Sequence, residues 1–446
     1  MKIIIAGAGD VGFHLAELLS FENQDIILID TNQEVLDYAA THLDVLALRG
    51  DSSSMDVLEQ ANVQHAGLVL AVTTSEKTNM ITAILAKRMG AKRTIARVRS
   101  GEYLEEEKNM IFKDLGVDAL ISPQQLAARE IHRLVAQCSF TDVFEFEDGK
   151  INLVGFTINE LSPLVNVRIR DLDEMSHGID LNVIAILRGN RTIMPEGETI
   201  LRMGDHVYFI TKRDQINRLE ETVGIQRRKV RKVMILGGTQ LGLITAKLLE
   251  QEYSVTLIEA DKERCKELAE SLDSTLIING RASNIELMEE EGLNNMDAFI
   301  ALTPNSETNI IASLTAKNHG VFKTIAQVEN KEYIHLSQRI GVDTLINKKL
   351  IAANNIFRYV RKGRIEAITS MQGVDAEVIE FVVHKNNRLT RTPIAKLHLP
   401  STALIGGVIR GEESLIPDGD FVLQVNDKVI VFALPEAISR LEKLFR

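Results

Sequence analysis

The stretch KIIIAGAGDVGFHLAELL, residues 2–19, decides the fold of the first part of the chain. An apolar strand runs into a glycine-rich turn, and an apolar helical segment follows the turn at once. The turn consists of Gly7, Ala8, Gly9, Asp10, Val11 and Gly12. Such a turn is typical of a Rossmann-type nucleotide site, although GxGxxG alone is weak evidence. In this motif Gly7 permits the tight bend, Gly9 lets the backbone approach a pyrophosphate, and Gly12 allows close packing of the helix on the strand.

Further candidates follow the other predicted strands, at the sheet edge where open α/β folds bind ligands. Asp30 ends the second strand, eighteen residues after Gly12, where a carboxylate can accept hydrogen bonds from ribose hydroxyls. The remaining candidates are Asp51 after the third strand, Thr73 and Thr74 after the fourth, and Arg97 at the end of the fifth. The carboxylate would repel the 2′-phosphate of NADP, which favours NAD(H). ATP and ADP offer the same ribose and stay open as ligands.

Each of these candidates also has a purely structural interpretation. Asp30 can cap the helix that follows it, but Thr31 and Glu34 already form the T-x-x-E pattern of a capping box there. The two threonines can simply begin a helix, and the arginine can face solvent. If the arginine is buried, a phosphate or Asp51 has to pair with it, since an unpaired buried cation is costly.

The chain is a tandem duplication of a two-part unit. Residues 71–98 return as 301–328 at an offset of 230, and residues 184–209 return as 406–431 at an offset of 222. Helices alternating with short apolar strands predict a doubly wound parallel sheet in the first part of each unit. Shorter strands and one closing helix predict a small α+β lobe in the second part. The predicted ranges are Rossmann domains at 1–137 and 231–362, lobes at 138–224 and 363–446, and a basic linker at 225–230.

The second copy of the glycine turn departs from the first. Its sequence GGTQLG keeps Gly237, but Thr239 replaces the middle glycine and places a side chain where a pyrophosphate would approach. Glu259 still ends the second strand of this copy. Arg281 and Gln327 stand where the first copy has its aspartate and arginine. We therefore expect nucleotide binding to be weaker in the second copy.

Composition and charge exclude several classes of function. The chain has 446 residues, 45% hydrophobic and 25% charged, enough for roughly three domains of about 150 residues. A formal net charge of -11 argues against binding to nucleic acid or anionic lipid. No apolar run approaches the roughly 20 residues that cross a bilayer, and no signal peptide is present, so a cytoplasmic protein is expected. Cys138 and Cys265 are too few and too far apart for a CxxC site, and no metal ion is expected.

No catalytic constellation accompanies the predicted nucleotide site. The ten histidines are scattered, and the chain contains no GxxxxGK[ST], HExxH or GxSxG motif. A dehydrogenase needs a substrate domain that closes over the nicotinamide and supplies a proton-transfer group. Duplicated small lobes provide no such domain. The pattern favours a nucleotide sensor that is not an enzyme, with an NAD-dependent oxidoreductase and a nucleotide-binding scaffold as the alternatives.

Several motifs resemble one known family. These are GAGDVG, LIDTNQEVL, RGDSSS, TSEKTNM and, in the first lobe, PEGETILRMGD. Together with the doubled two-part unit they are similar, over the whole chain, to the TrkA family, the peripheral subunits of bacterial Trk potassium uptake systems with RCK or KTN domains. The resemblance implies a cytosolic gating ring that binds NAD(H), ATP and ADP. It also implies regulation of a TrkH-type integral membrane potassium channel subunit, the only link of the ring to the membrane.

The resemblance also implies where the ligand binds and how the chain assembles. The family's first nucleotide site falls here on Gly7 through Val11, Asp30, Thr73, Thr74 and the strand end at Arg97. Units of this type pair through the helix after the sixth strand, here residues 124–138, and a homo-tetramer would place eight units in one ring. Thr239 puts the second site in doubt, and Asn426, in place of the glycine before the lobe aspartate, shows that the second lobe has diverged.

Overall fold

A computed structural model describes the chain with the exception of residues 21–23, 138–139, 148, 161, 176–177, 190, 225–228, 331–332, 334–340, 362–364, 371–375 and 446. Cys138 and most of the predicted basic linker therefore lie outside the described residues. The chain divides into two compact units. The first unit contains Met1–Glu130, Gln240–Thr245 and Asn347–Val360, and the second contains Ile131–Thr239, Ala246–Ile346 and Arg361–Arg446. In the described part of the chain, every helix is too short or too polar to cross a membrane.

The described strands fall into four groups along the chain. They are β1 (Lys2–Ala6), β2 (Asp25–Asp30), β3 (Leu46–Arg49), β4 (Leu68–Ala71), β5 (Thr94–Arg97), β6 (Ala119–Ile121), β7 (Asp142–Phe146), β8 (Ile151–Thr157), β9 (Leu181–Arg188), β10 (Arg191–Ile193), β11 (His206–Lys212), β12 (Lys232–Leu236), β13 (Ser254–Glu259), β14 (Leu276–Asn279), β15 (Ala298–Ala301), β16 (Lys323–Gln327), β17 (Thr344–Ile346), β18 (Ile365–Ser370), β19 (Glu377–Val382), β20 (Ala403–Arg410), β21 (Glu413–Leu415) and β22 (Lys428–Ala433).

The described α-helices connect and flank these strands. They are α1 (Asp10–Ser20), α2 (Gln33–His42), α3 (Met55–Gln60), α4 (Glu76–Arg88), α5 (Glu106–Asp114), α6 (Pro123–Ala136), α7 (Leu172–Met175), α8 (Ile216–Thr222), α9 (Gln240–Leu249), α10 (Lys262–Ser271), α11 (Ile285–Glu290), α12 (Ser306–Asn318), α13 (Lys348–Arg361) and α14 (Pro435–Leu444).

The first sheet is parallel and has the strand order β3-β2-β1-β4-β5-β6. Its central strand β1 is buried from Ile3 to Ala6, as expected for a strand covered on both faces. The chain order reverses between β1 and β4, and the glycine turn leaves β1 at this point. Ligands of open α/β sheets bind outside the carboxyl ends of the strands at such a reversal. The fold therefore places the turn at the ligand-binding edge.

The second parallel sheet repeats this topology with the order β14-β13-β12-β15-β16-β17. Each parallel sheet is followed along the chain by an antiparallel one. The orders of these are β10-β9-β11-β8-β7 and β18-β19-β22-β20-β21. The predicted fold class is confirmed: two Rossmann-type parallel sheets, each followed by a small α+β lobe.

Within the second unit the two lobes share an apolar core. Side chains of β8, β9 and β11 pack against side chains of β19, β20 and β22 in a single buried cluster. Gly406 and Gly407 allow this approach, because a Cβ at either position would lie 2.9 Å from Ile210 or Ile151 of the first lobe. Each lobe thus buries one sheet face against its duplicate.

The C-terminal half of α6 lies in the second unit, beside the end of α9. Nε2 of His132 is 3.1 Å from Oε1 of Glu252, and its ring meets the Tyr253 ring edge-on at 6.4 Å between centroids. Helix α6 follows the first parallel sheet, whereas Glu252 and Tyr253 belong to the second. The pairing of units through this helix, which the resemblance implies, stays a prediction.

A repeated Arg–Asp pair explains the motif shared by the two lobes. The Arg188 guanidinium donates from Nε and one terminal nitrogen to the two carboxylate oxygens of Asp205, both at 2.7 Å. Arg410 binds Asp427 in the same way at 2.9 and 2.8 Å. Both aspartate side chains are 1% exposed. Forked charge-assisted bonds of this kind tie the strand of the arginine, β9 or β20, to the turn before its antiparallel neighbour, β11 or β22.

Replacing Asp205 with alanine should destabilise the first lobe by about 2–4 kcal/mol, because Arg188 and the Arg202 N–H both lose their acceptor. Thermal unfolding should show a lower midpoint for this variant. The surface variant Glu198→Ala removes a carboxylate that is 67% exposed and should leave the midpoint nearly unchanged. Equal midpoints for the two variants would contradict a structural role for the Arg–Asp fork.

Candidate nucleotide-binding site

The three glycines of the first turn have different steric surroundings. Gly7 has φ of +105°, a backbone conformation that favours glycine, and its N–H donates to the Ile29 carbonyl at 2.7 Å. A Cβ on Gly12 would overlap the carbonyl oxygen of Gly7. A Cβ on Gly9 would meet nothing within 4 Å. The roles predicted for Gly7 and Gly12 therefore match their geometry, and the space beside Gly9 is open.

The Asp30 carboxylate is anchored to the glycine turn. Its Oδ2 accepts the Ala8 N–H at 2.7 Å, and its Oδ1 accepts the Asn32 N–H at 2.9 Å. Each carboxylate oxygen has a second lone pair, so the group can still accept two hydroxyl donors. Asp30 is half-buried at the end of β2, so a hydroxylated ligand can reach it.

The predicted capping box at Thr31 and Glu34 is wrong. Helix α2 is capped by Asn32, whose side chain accepts the Glu34 N–H at 2.9 Å. Asp30 supports this cap from outside through the Asn32 N–H. The carboxylate therefore has a structural role as well as the ligand role predicted for it, and the two use different lone pairs.

The carboxyl ends of β4 and β5 are held together by Asn79, a buried residue of α4 that sequence reasoning missed. Its Oδ1 accepts the Thr73 N–H at 2.8 Å, and its Nδ2 donates to the carbonyls of Thr73 and Arg97 at 3.0 and 2.9 Å. Asn309 makes the equivalent bonds in the second parallel sheet. The sequence does contain a signal for this role, since both repeated segments carry an asparagine at this position. Thr74, which follows Thr73 in the sequence, is exposed.

Asp51 does not pair with Arg97, although it was one of the two partners expected for a buried arginine. Its Oδ1 instead accepts the N–H and the hydroxyl of Ser53 at 2.9 and 2.7 Å. These two bonds hold the pKa of the Asp51 carboxyl below its usual value. Asp51 thus stays ionised in an exposed turn after β3, at the same edge of the sheet.

The Arg97 guanidinium lies half-buried at the end of β5. Burial lowers its pKa, and the positive charge of Arg99 lowers it further, whereas the carboxylate of Asp10 raises it. Among the described residues no carboxylate lies within ion-pair distance of this guanidinium. A partly desolvated cation at the carboxyl end of β5 is suited to a phosphate group.

The second glycine turn is more closed than the first. Glu259 repeats the anchoring role, since its Oε2 accepts the Gly238 N–H at 2.6 Å and its Oε1 accepts the Asp261 N–H at 2.9 Å. The Thr239 hydroxyl donates to the Leu302 carbonyl at 3.0 Å, and Arg264 Nε donates to the Gly238 carbonyl at 2.8 Å. Gly237 keeps the positive φ, at +106°. Side chains thus cross the turn where the first copy is open.

The first turn combines a helix N-terminus, the kind of group that can bind a phosphate, with a carboxylate of the kind that can bind a ribose. Helix α1 begins at Asp10, so its free N–H groups and its dipole face the open space beside Gly9. Val11 is buried in the first turn of the helix and fixes its start. In the described ranges no group of histidine, cysteine, aspartate or glutamate side chains is arranged to hold a metal ion.

Family profiles match most of the chain. The family described as "TrkA-N domain" matches residues 3–123 and 233–348, and the family described as "TrkA-C domain" matches residues 153–224 and 378–446. Each family profile matches the chain twice, and the two profiles alternate along the sequence. The matched ranges contain the two parallel sheets and most of the two antiparallel lobes.

Named relatives align with the chain over its full length. "Trk system potassium uptake protein TrkA homolog" of Archaeoglobus fulgidus is 36% identical to this chain, and the alignment covers 100% of both proteins. "Trk system potassium uptake protein TrkA" of Halomonas elongata is 35% identical, with 100% of this chain and 99% of the relative covered. The protein of the same name from Vibrio alginolyticus has the same identity and coverage.

Solved structures show the same fold at low identity. The structure described as "GsuK Channel" has a TM-score of 0.63 at 15% identity, covering 100% of this chain and 79% of that one. "Crystal Structure of the GsuK RCK domain" has a TM-score of 0.61 at 14% identity, covering 100% and 94%. These structures share the fold, and the matches to family profiles and full-length relatives decide the family. The chain belongs to the TrkA family of Trk-system potassium uptake proteins.

Proposed function

We propose that this chain regulates potassium uptake by binding an adenine nucleotide at the carboxyl edge of its first parallel sheet. One observation carries the proposal: the glycine turn is open beside Gly9 and is anchored to the Asp30 carboxylate, and a partly desolvated cation, Arg97, ends a strand at the same edge of the sheet. A dinucleotide or nucleoside diphosphate presents ribose hydroxyls for the carboxylate and phosphates for the turn and the cation. The chain acts as a sensor in this proposal and performs no chemistry on the nucleotide.

The membership of the TrkA family supports the potassium part of the proposal. The relatives carry the name of a potassium uptake system, so the partner we propose is a TrkH-type integral membrane channel subunit. The regulatory assembly is a homo-tetramer that reaches the inner face of the membrane through this partner. The regulated quantity is potassium flux through the partner.

The ligands we propose are NAD(H), ADP and ATP, bound more tightly at the first turn than at the second. One solved neighbour of the same fold is described as "GsuK channel bound to NAD", and this supports a nucleotide as the ligand class. Thr239 and Arg264 cross the second turn, so a pyrophosphate meets side chains there. A ligand shifts the channel only through a difference in affinity between two ring states.

Replacing Asp30 with alanine should weaken the binding of ADP and NADH alike, by roughly 1–3 kcal/mol, because charge-assisted hydrogen bonds to the ribose are lost. Isothermal titration of the purified full chain measures the effect. The matched control is Glu259→Ala, which removes the same type of anchor from the second turn. We expect this control to leave the tighter binding event unchanged. Identical titration curves for Asp30→Ala and the wild-type chain would remove Asp30 from the site.

A further inference from the structure

A lysine from the second half of the chain reaches the first glycine turn. Nζ of Lys349 lies 2.6 Å from Oδ2 of Asp10, and both residues belong to the first compact unit. Lys349 is the second residue of α13, the helix that follows the last strand of the second parallel sheet. The ion pair therefore joins residues that are 339 positions apart in the sequence.

Asp10 lies where a phosphate of the proposed nucleotide would bind. It is the first residue of α1, directly after Gly9, and its side chain is 70% exposed. Its carboxylate interacts electrostatically with Arg97 as well as with Lys349. The carboxylate is thus paired with Lys349, from a distant part of the chain, and its charge also acts on Arg97. A phosphate carries the same sign of charge as this carboxylate and prefers the same cationic surroundings.

The start of α13 is held firmly enough to position the lysine. Oδ1 of Asn347 accepts the N–H groups of Lys349 and Leu350 at 3.0 and 3.1 Å, which caps the helix. Asn347 is buried, as are Ala352 and Ala353 in the next turn. Lys349 itself is 26% exposed, so its ammonium group lies at a partly covered edge.

We propose that Lys349 is a phosphate ligand of the first nucleotide site, and that it exchanges the Asp10 carboxylate for a ligand phosphate when a nucleotide binds. The inference rests on the proposed nucleotide function and adds one residue to that site. In the free protein the Lys349 ammonium group is paired with the Asp10 carboxylate. In the bound protein the phosphate, with more acceptor oxygens and more charge, is the stronger partner.

The second glycine turn lacks this pair of charges. The residue that corresponds to Asp10, at the offset of 230, is Gln240, and the residue that corresponds to Lys349 after the sixth strand is Gln124. Both are neutral. The difference agrees with a first site that is specialised for phosphate and a second site that is not.

The exchange would connect nucleotide binding to the second half of the chain. Helix α13 leads along the chain to β18, the first strand of the second lobe. A nucleotide that contacts Lys349 thereby contacts the element that joins the second parallel sheet to its lobe. Ligands with different phosphates then differ in the interaction that they make with α13, which is the property a regulatory ligand needs.

Titration of the full chain with ADP and with adenosine tests the proposal. Lys349→Gln should weaken ADP binding about tenfold, the scale of one charge-assisted bond, and leave the affinity for adenosine unchanged, since adenosine has no phosphate. The matched control is Lys348→Gln, which removes the same charge from the preceding residue of α13. Equal losses in the two variants, or a loss that includes adenosine, would overturn the proposal.

A double variant separates ligation from simple neutralisation of Asp10. If Lys349 only offsets the negative charge of Asp10, Lys349→Gln should have no effect on ADP binding in an Asp10→Asn background. If Lys349 binds the phosphate, the loss of about tenfold should persist in that background. Failure of the wild-type chain to bind ADP at all would instead refute the nucleotide function. Normal ADP binding by both Lys349→Gln chains would refute the role of Lys349 alone.

Discussion

Replacing Gly9 with aspartate should reduce the affinity for ADP and NADH by about 100-fold or more, because a carboxylate then occupies the space proposed for the pyrophosphate. A Cβ at Gly9 meets nothing within 4 Å, and its φ lies outside the left-handed region. The variant should therefore fold like the wild-type chain. Isothermal titration measures the affinity, and the midpoint of thermal unfolding checks the fold.

The same variant tests the regulatory proposal. Wild-type chain reconstituted with its membrane partner should make potassium flux depend on adenine nucleotide, and Gly9→Asp should abolish that dependence. The control is Thr239→Asp in the second turn, which we expect to retain most of the response. Nucleotide-independent flux with the wild-type chain, together with turnover of a small alcohol, ketone or amino acid at roughly 1 per second or more, would favour an NAD-dependent oxidoreductase.

Local pattern was sufficient to predict the parallel sheets and the glycine turn. The strand β1 and the turn after it are short-range features, since burial and the positive φ of Gly7 follow from neighbouring residues. The duplication added independent support, because the second sheet repeats the strand order of the first. The positions of Gly9, Gly12 and Asp30 at the edge of the sheet followed from the same reasoning.

Long-range contacts could not be predicted in this way. A phosphate or Asp51 was expected to pair with Arg97, and Asp51 is bound to Ser53 instead. The charges that act on Arg97 are those of Arg99 and Asp10, and Asp10 is itself paired with Lys349. The hydrophobic periodicity of the sequence does not predict these contacts, because they depend on how the helices pack on the sheets. The Asn32 cap was missed for a smaller reason, since two adjacent residues can both begin a helix.

Gly12 should be the least replaceable residue of the first turn. A Cβ there would overlap the carbonyl oxygen of Gly7 and lie 3.4 Å from Cγ2 of Ile5. The oxygen belongs to the backbone of the turn, so it cannot move without shifting β1 or α1. We expect Gly12→Ala to destabilise the first parallel sheet by about 3 kcal/mol or more.

Gly9→Ala is the matched control for Gly12→Ala, because the same methyl group is added three residues earlier in the same turn, into open space. Thermal unfolding should show a clear loss for Gly12→Ala and nearly none for Gly9→Ala. Titration with ADP should show a loss for Gly9→Ala in the folded chain, since its methyl group enters the proposed phosphate space. A stable Gly12→Ala chain would mean that helix α1 can move away from β1. Close packing of this helix on the strand would then not explain the glycine.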